Sequence, residues 1–140
     1  MALLRPLLLA LTLLIFPIHL AGQELLLLFR EPGRAVMLDT TSIRRVSPSQ
    51  YSAYVMIRYD PPRAFRPMSP GPRRPVQLSK ALTLFDCQRR VVVVTLFTTY
   101  GTDGGLIDSV ETARGGTAPF GGNATILLGA VCSRGAGRRR

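Results

Sequence analysis

The sequence holds few of the residues from which active sites are usually built. Its single histidine, His19, lies in the apolar N-terminal segment, so the rest of the chain has no imidazole. Without an imidazole, Ser-His and Cys-His nucleophilic sites of the usual kind are excluded. Two cysteines, Cys87 and Cys132, are too few for a zinc site without histidine. We therefore predict no metal and no cofactor.

Paired carboxylates are the remaining route to catalysis, because two of them can divide acid and base roles as in glycosidases. The acidic side chains of this chain fall mostly at predicted strand ends and turns, where capping of the backbone explains them. The candidates are Asp39, Asp60, Asp86, Asp103, Asp108 and Glu111. A carboxylate-based hydrolase is therefore a distant alternative, and we predict that the protein is not an enzyme.

Residues 1–22 have the order of a secretory signal peptide, with a basic start, an apolar middle and a small-residue cleavage site. The apolar run Leu7–Phe16 is followed by Pro17, which breaks the helix, and by the small residue Gly22. We predict cleavage after Gly22, so that the chain is exported and keeps no transmembrane segment. The alternative is an anchor that is never removed, since a stretch of this length can span a bilayer.

Cys87 and Cys132 are the only cysteines, and the predicted signal peptide delivers them to an oxidising compartment. Two cysteines in a small exported domain normally form a disulfide, which we predict here. The alternative is a pair of redox-active thiols. That chemistry favours a close Cys-x-x-Cys spacing, which this pair lacks.

The chain is strongly basic, with a formal net charge of +10, and Lys80 is its only lysine. Such a balance favours anionic partners. We expect an anionic envelope polymer or an extracellular protein ligand, and no nucleic acid because the chain is exported. The candidate contacts for an anionic ligand are Arg73, Arg74, Arg89 and Arg90. The alternative is that these arginines form a solvated surface with no ligand.

Short apolar runs and alternating apolar residues, separated by turn residues, predict five or six strands. The segments are 23–30, 34–39, 51–59, 76–86 and 90–100, with 106–111 as the sixth. In the segment 76–86, we expect Val76, Leu78, Leu82 and Leu84 to share one side of the strand. The segment 60–75 contains six prolines, which remove ladder donors, so we predict a long mobile loop there.

The segment after Asn123 predicts a C-terminal helix. Leu127, Leu128 and Val131 recur at the spacing of one buried helix face. Asn123 is suited to cap the first turn, because its side chain can accept from free backbone N–H groups. Gly135 is the predicted end of the helix.

Strands joined in sequence by short turns, with a helix last, predict the α+β class. The expected architecture is a single antiparallel sheet of five or six strands with one C-terminal helix packed on it. The predicted organisation is a signal peptide at 1–22, one domain at 23–133, and a basic disordered tail at 134–140.

Several segments of the chain, taken in order, resemble the surface-adhesin protein E-like family. They are Val36–Ile43, with an Asp-x-x-Ser-Ile pattern, the strand Tyr51–Tyr59, the acidic-Cys-x-x-Arg motif in Phe85–Arg90, and the ending Ala130–Cys132. The resemblance covers about residues 24–133. It implies one antiparallel sheet, a C-terminal helix fastened by the disulfide, and a location in the envelope or on the surface of a Gram-negative bacterium.

The founding members of that family are adhesins for host extracellular-matrix proteins. The resemblance therefore implies an exported, non-catalytic binding module that acts as an adhesin. The alternative from a different class is a structural or accessory periplasmic protein with no specific ligand. Saturable binding that resists salt would favour the adhesin. Weak binding that salt abolishes would favour the accessory protein, because salt screens interactions between exposed charges.

Overall fold

The computed structural model describes residues 22–65, 70–112 and 120–137. Within these ranges, seven strands form one antiparallel sheet and a single α-helix follows them. The strands are β1 Leu25–Glu31, β2 Arg34–Asp39, β3 Arg44–Ser47, β4 Gln50–Phe65, β5 Arg74–Asp86, β6 Val91–Gly101 and β7 Leu106–Glu111, and the helix α1 is Ala124–Gly137. The α+β class agrees with the prediction, with seven strands instead of five or six. Apart from Gly22, the predicted signal peptide lies outside the described residues.

The strands follow the order β1-β2-β4-β5-β6-β7, and β3 pairs with β4. Strands that are neighbours in sequence are mostly neighbours in space, because tight turns join them. Gly33 has a φ of +80° in the turn between β1 and β2, and Gly104 has a φ of +77° in the turn between β6 and β7. Glycine adopts this left-handed conformation without a steric penalty.

Strand β3 is absent from the sequence prediction. It has only four residues, and Arg44, Arg45 and Val46 are all exposed. An element this short, with no alternation between buried and exposed residues, has no periodic signal. It is defined by its pairing with β4, where Arg44 lies opposite Ser52 and Arg45 opposite Tyr51.

The hydrophobic core lies between the helix and one face of the sheet. Leu127 and Val131 of the helix are fully buried, and Leu128 is nearly so, which confirms the predicted helix face. The sheet contributes fully buried side chains from three strands to this core: Val36 and Leu38 of β2, Ala53 and Val55 of β4, and Ala81 and Phe85 of β5. Helix α1 contacts β1, β4, β5 and β6, so it lies across the middle of the sheet.

The helix continues to Gly137, two residues past its predicted end at Gly135. The residues from Arg134 to Gly137 are therefore helical, and the prediction of a disordered tail is wrong for them; residues 138–140 lie outside the described part of the chain. Gly135 is buried, and its lack of a side chain lets the last turn pack on the ring of Tyr51 in β4. That packing stabilises a helix end that glycine would otherwise terminate.

Asn123 has a different contact from the predicted cap. It ends a short 3₁₀ turn, Gly121–Asn123, that leads into α1. Its side-chain nitrogen donates a hydrogen bond of 2.8 Å to Oε1 of Glu31 in β1. The residue therefore joins the start of the helix to an edge strand.

The proline-rich segment is largely strand, so the prediction of a loop throughout 60–75 is wrong. Strand β4 runs to Phe65, and β5 begins at Arg74; residues 66–69 lie outside the described part of the chain. Pairing of β4 with β5 is interrupted between Arg58 and Arg63 and then resumes. Pro61 and Pro62 fall in this irregular stretch, where no ladder donor is required.

Candidate functional site

The sheet has one face covered by the helix and one face with no covering element among the described residues. We call the second the open face. Residues opposite each other on antiparallel strands point to the same side, so the strand pairing identifies its members. Its large apolar side chains are Leu25, Leu27, Met37, Tyr54, Met56, Leu78, Leu82, Leu84, Val91, Val93, Leu96, Tyr100 and Leu106.

Three leucines of β5 lie on the open face, and the predicted grouping with Val76 is wrong. The register shifts between Val76 and Leu78, so Val76 is buried while Leu78, Leu82 and Leu84 are only half-buried. The side that meets the helix consists of smaller residues and one phenylalanine: Ser79, Ala81, Thr83 and Phe85. Small side chains let the helix approach the sheet, and this close approach leaves the leucines facing outward.

Among the described residues, four of the six exposed large apolar side chains lie at the margins of the open face; the other two, Val46 and Ile126, lie on β3 and on the helix. Leu25 and Leu27 of the edge strand β1 are 41% and 45% exposed, Val91 at the start of β6 is 43% exposed, and Leu106 of β7 is 57% exposed. These side chains lie at opposite edges and at one end of the sheet, and the mostly half-buried apolar side chains between them complete one apolar face. An extended apolar face is typical of a surface that binds another molecule, whereas single exposed apolar residues need no explanation.

A central groove of about 470 Å³ lies over β4, β5 and β6. Met56 and Leu78 are in its floor, and Tyr100 forms a wall. Of the described residues that line it, Arg58 and Lys80 are positively charged and none is Asp or Glu. The groove is therefore apolar at its base and cationic at its sides.

An edge groove of about 380 Å³ adjoins the central groove, and Arg58 lines both. Among its other lining residues are Arg30, Glu31 and Arg34. Nε of Arg34 donates to Oε2 of Glu31 at 2.6 Å. This hydrogen bond is the largest influence that lowers the pKa of Glu31, and the amide of Asn123 lowers it further. Arg34 is paired with Glu31 and holds this carboxylate in its ionised form. The cations of this groove that have no ion-pair partner among the described residues are therefore Arg30 and Arg58.

The four predicted arginine contacts lie at two separate places. Arg89 and Arg90 are in the turn between β5 and β6, whereas Arg73 and Arg74 are at the opposite end of β5. The length of β5 separates the pairs by about 40 Å, at roughly 3.3 Å per residue. One small ligand therefore cannot contact both pairs. Nη2 of Arg74 lies 4.0 Å from Oδ2 of Asp103, at the limit of an ion pair.

Arg89 and Arg90 lie in the turn before β6, which begins at Val91, one residue after the predicted start of this strand at residue 90. Arg90 has a φ of +56°. Arg89 borders a third, smaller groove of about 170 Å³ that it shares with Leu84 and Val93. Of the four predicted contacts, Arg89 is the one beside a groove of the open face.

Asp86 organises this turn. Its Oδ1 accepts hydrogen bonds from the backbone N–H groups of Gln88 and Arg89 at 3.1 and 2.8 Å, and Oδ2 accepts from Nε2 of Gln50 at 3.1 Å. The bond from Arg89 is the largest cause of a lowered pKa for Asp86, followed by the bond from Gln50. The carboxylate therefore serves the turn and is not free for acid–base chemistry.

Cys87 and Cys132 form a disulfide with their Cα atoms 5.8 Å apart, within the usual range for this bond. The bond joins the turn after β5 to the helix, one turn before Gly135. A disulfide fits a protein that folds in an oxidising compartment.

No group of three or more His, Cys, Asp or Glu in the described ranges is arranged to hold a metal ion. In the same part of the chain, no helix has the length and apolar character needed to cross a membrane.

Comparison with known proteins gives one distant likeness. The chain is similar in structure to protein E of Haemophilus influenzae, in its crystal form II, with a TM-score of 0.42 and 14% sequence identity. The match covers 70% of this chain and 82% of the other. No protein-family model matches the sequence, and no curated protein matches it.

Sequence reasoning missed the two cations of the central groove. Arg58 and Lys80 stand singly within apolar strands, where a search for paired arginines does not find them. The sequence signal that could have found them is a charged residue placed among apolar residues on the same side of a strand. Arg58 lies two residues after Met56, and Lys80 lies two residues from both Leu78 and Leu82. Such a pattern is typical of a strand with two apolar faces.

Proposed function

We propose that the protein is an exported, non-catalytic binding module of a bacterial cell envelope, adhesin-like in its action, and that the open face is its binding surface. The observation that carries the proposal is the asymmetry of the sheet. The helix covers one face, while the other keeps apolar side chains and grooves accessible to solvent. An apolar surface of this extent is costly to leave in water, and a bound partner removes that cost.

Two further features support the proposal. The disulfide between Cys87 and Cys132 agrees with folding outside the reducing cytoplasm. The two grooves have four cations among their described lining residues, Arg30, Arg34, Arg58 and Lys80, against two carboxylates, Glu31 and Asp60. This excess of positive charge complements the anionic polymers and many proteins that an envelope protein meets. A surface that is both apolar and cationic can bind with a component that salt does not remove.

The test uses the oxidised chain that begins at Gln23 and compares two variants. In the first, Leu27→Glu and Leu106→Glu place charge at opposite margins of the open face. The matched control is Ile126→Glu on the helix, because Ile126 is 43% exposed and lies away from the open face. Binding to immobilised basement-membrane extract and to purified lipopolysaccharide is measured in 0.15 M and 1 M NaCl.

We expect saturable binding to at least one of these materials that persists in 1 M NaCl. We also expect at least a tenfold loss of affinity in the open-face variant and no change in the Ile126→Glu control. Equal weak binding to both materials, abolished by salt and unaffected by either variant, would instead identify an accessory protein with no specific ligand. Amino-terminal sequencing of protein from the cell envelope checks export; an uncleaved chain would contradict that part of the proposal.

A further inference from the structure

The two cations of the central groove are held close together by strand pairing. Met56 lies opposite Lys80, and Arg58 lies opposite Leu78, so the four residues form the corners of one patch shared by β4 and β5. Arg58 and Lys80 occupy one diagonal. Diagonal neighbours in an antiparallel pair are about 7–8 Å apart, which lets two long side chains converge on one anionic group.

Neither cation is neutralised within the part of the chain that the structure describes. No carboxylate lies within 4.0 Å of Arg58 or Lys80 there, since the ion pairs found involve Arg34 and Arg74. Nζ of Lys80 lies 4.1 Å from the centre of the Tyr54 ring. This cation–π contact leaves the charge of Lys80 uncompensated, but it draws the ammonium group towards Tyr54, on the side of Met56 away from Arg58. A carboxylate held between the two cations therefore requires the ammonium group to leave the ring and turn towards Arg58.

An apolar track leads away from the cations along β5. Leu82 and Leu84 follow Lys80 on the same side of the strand, and they pair with Leu96 and Val93 of β6. These four side chains are half-buried, and their outer surfaces form an apolar strip. The exposed Thr95 interrupts the β6 side of this strip at a register shift. From Lys80 to Leu84 the strip extends about 13 Å, at roughly 3.3 Å per residue.

We propose that the central groove binds a monomeric, single-chain anionic amphiphile such as a fatty acid. Its carboxylate lies between Arg58 and Lys80, and its acyl chain lies along the track of Leu82 and Leu84. This inference rests on the proposed function, because it takes the open face as the binding surface and specifies one class of ligand for it. The carboxylate supplies the negative charge that the groove lacks, and the chain covers the leucines.

The position of Lys80 favours a single amphiphile over a bilayer or a second copy of the chain. Lys80 is on β5, a central strand of the sheet, with apolar side chains around it. A flat bilayer pressed on this face would bury the ammonium group among acyl chains, at a high energetic cost. A second copy whose two-fold axis passed through Arg58 and Lys80 would set two positive patches against each other.

The experiment titrates the oxidised protein with dodecanoate below its critical micelle concentration, followed by calorimetry and NMR. Dodecanol, dodecyltrimethylammonium and hexanoate are the comparison ligands. We expect one dodecanoate per chain, bound at least tenfold more tightly than dodecanol or hexanoate, with no binding of the cationic ligand. The double variant Arg58→Gln, Lys80→Gln should lose at least tenfold in affinity for dodecanoate and keep its weak affinity for dodecanol.

The control variant Arg44→Gln, Arg45→Gln removes the same charge from β3, outside the groove, and should bind dodecanoate as the parent does. Equal affinity for dodecanoate and dodecanol in the parent would overturn the proposal, even if the double variant failed to fold. So would an equal loss in both variants, since that result indicates general charge attraction.

Binding to vesicles of anionic phospholipid without binding of monomeric dodecanoate would overturn the proposal in favour of a bilayer surface. A dimer detected by light scattering that dodecanoate does not dissociate would overturn it in favour of a second copy. Failure of dodecanoate to bind, combined with loss of matrix or lipopolysaccharide binding in the Leu27→Glu, Leu106→Glu variant, would contradict only the ligand class. Failure of both tests would contradict the proposed function as well.

Discussion

Gly135 of the helix lies directly against the aromatic ring of Tyr51 in β4. A Cβ atom built on Gly135 would be 2.5 Å from both Cε1 and Cζ of that ring, and the ring is itself 4% exposed. Non-bonded carbon atoms do not approach so closely in a folded protein, so this position has room only for hydrogen. The contact determines how near the last turn of the helix can come to the sheet.

Gly135→Ala should therefore destabilise the protein by about 1–3 kcal/mol, the usual cost of an additional carbon in a packed core. Gly129 is the matched control, because it is an exposed position of the same helix where an added Cβ meets nothing within 4 Å. Gly129→Ala should stabilise by about 0.5–1 kcal/mol through the better helix propensity of alanine. Urea unfolding of both variants provides the measurement, and a loss of similar size at both positions would disprove the tight contact.

Ser79 has a buried hydroxyl with no hydrogen-bond partner in the described part of the chain. Removing an unsatisfied polar atom from the core is expected to be neutral or stabilising by up to about 1 kcal/mol, so Ser79→Ala should unfold at the same or a higher denaturant concentration. The comparison is Thr83→Val, because Oγ1 of Thr83 donates to the carbonyl oxygen of Ala81 at 3.2 Å. Thr83→Val should cost about 1 kcal/mol. Destabilisation by Ser79→Ala equal to that of Thr83→Val would show that the Ser79 hydroxyl has a partner.

Asp86 should make stability depend on pH in acid. Its folded-state pKa is lower than the ordinary value of 3.8, chiefly because of the hydrogen bond from the Arg89 backbone. The folded state therefore binds fewer protons than the unfolded state in this range. The stabilisation of the folded state by ionised Asp86 is complete above the ordinary pKa of the carboxyl group. It is lost as the pH falls through the folded-state pKa.

Asp86→Asn keeps an oxygen for the turn and removes the charge. The variant should be less stable than the parent at pH 7, and the difference between the two should shrink below about pH 4. Denaturant unfolding of the parent and the variant, from pH 7 down to pH 2, measures the difference in their free energies of unfolding. A difference that stays constant across this range would mean that ionised Asp86 has no special role.

The disulfide between Cys87 and Cys132 should account for much of the stability of the domain. Its cysteines are 45 residues apart, and closing such a loop removes unfolded-state entropy worth roughly 4 kcal/mol. Small domains are typically stable by about 5–15 kcal/mol, so a double change to serine should lower the melting temperature strongly. Mass spectrometry should find the native protein two hydrogens lighter than its reduced form. Two titratable thiols in protein isolated directly from the envelope would refute the bond.

Several features of the fold could be predicted from local sequence patterns alone. The buried face of β4 from Tyr51 to Tyr59 and the helix face of Leu127, Leu128 and Val131 follow from periodicity. The hairpin of β1 and β2 follows from two short apolar runs separated by the turn residues Pro32 and Gly33. Such patterns can be recognised in the sequence because side chains at a fixed spacing along a helix or strand lie on the same side of it. These side chains are therefore buried together. The basic composition likewise favours an anionic partner, because net charge attracts opposite charge whatever the fold.

The tertiary structure decided which side of each strand faces the helix and where the charges meet. The alternation in β5 predicted that Val76 shares one side with Leu78, Leu82 and Leu84, but the register shift after Val76 separates it from these leucines. The helix packs on the side of Ser79 and Ala81, so the leucines face outward. Arg58 and Lys80 are 22 positions apart in sequence and become neighbours only through the register of β4 with β5. Register depends on the packing of the whole sheet, because a slip of one residue exchanges its two faces. The candidate site is therefore a product of pairing between strands, which no single segment of the sequence specifies.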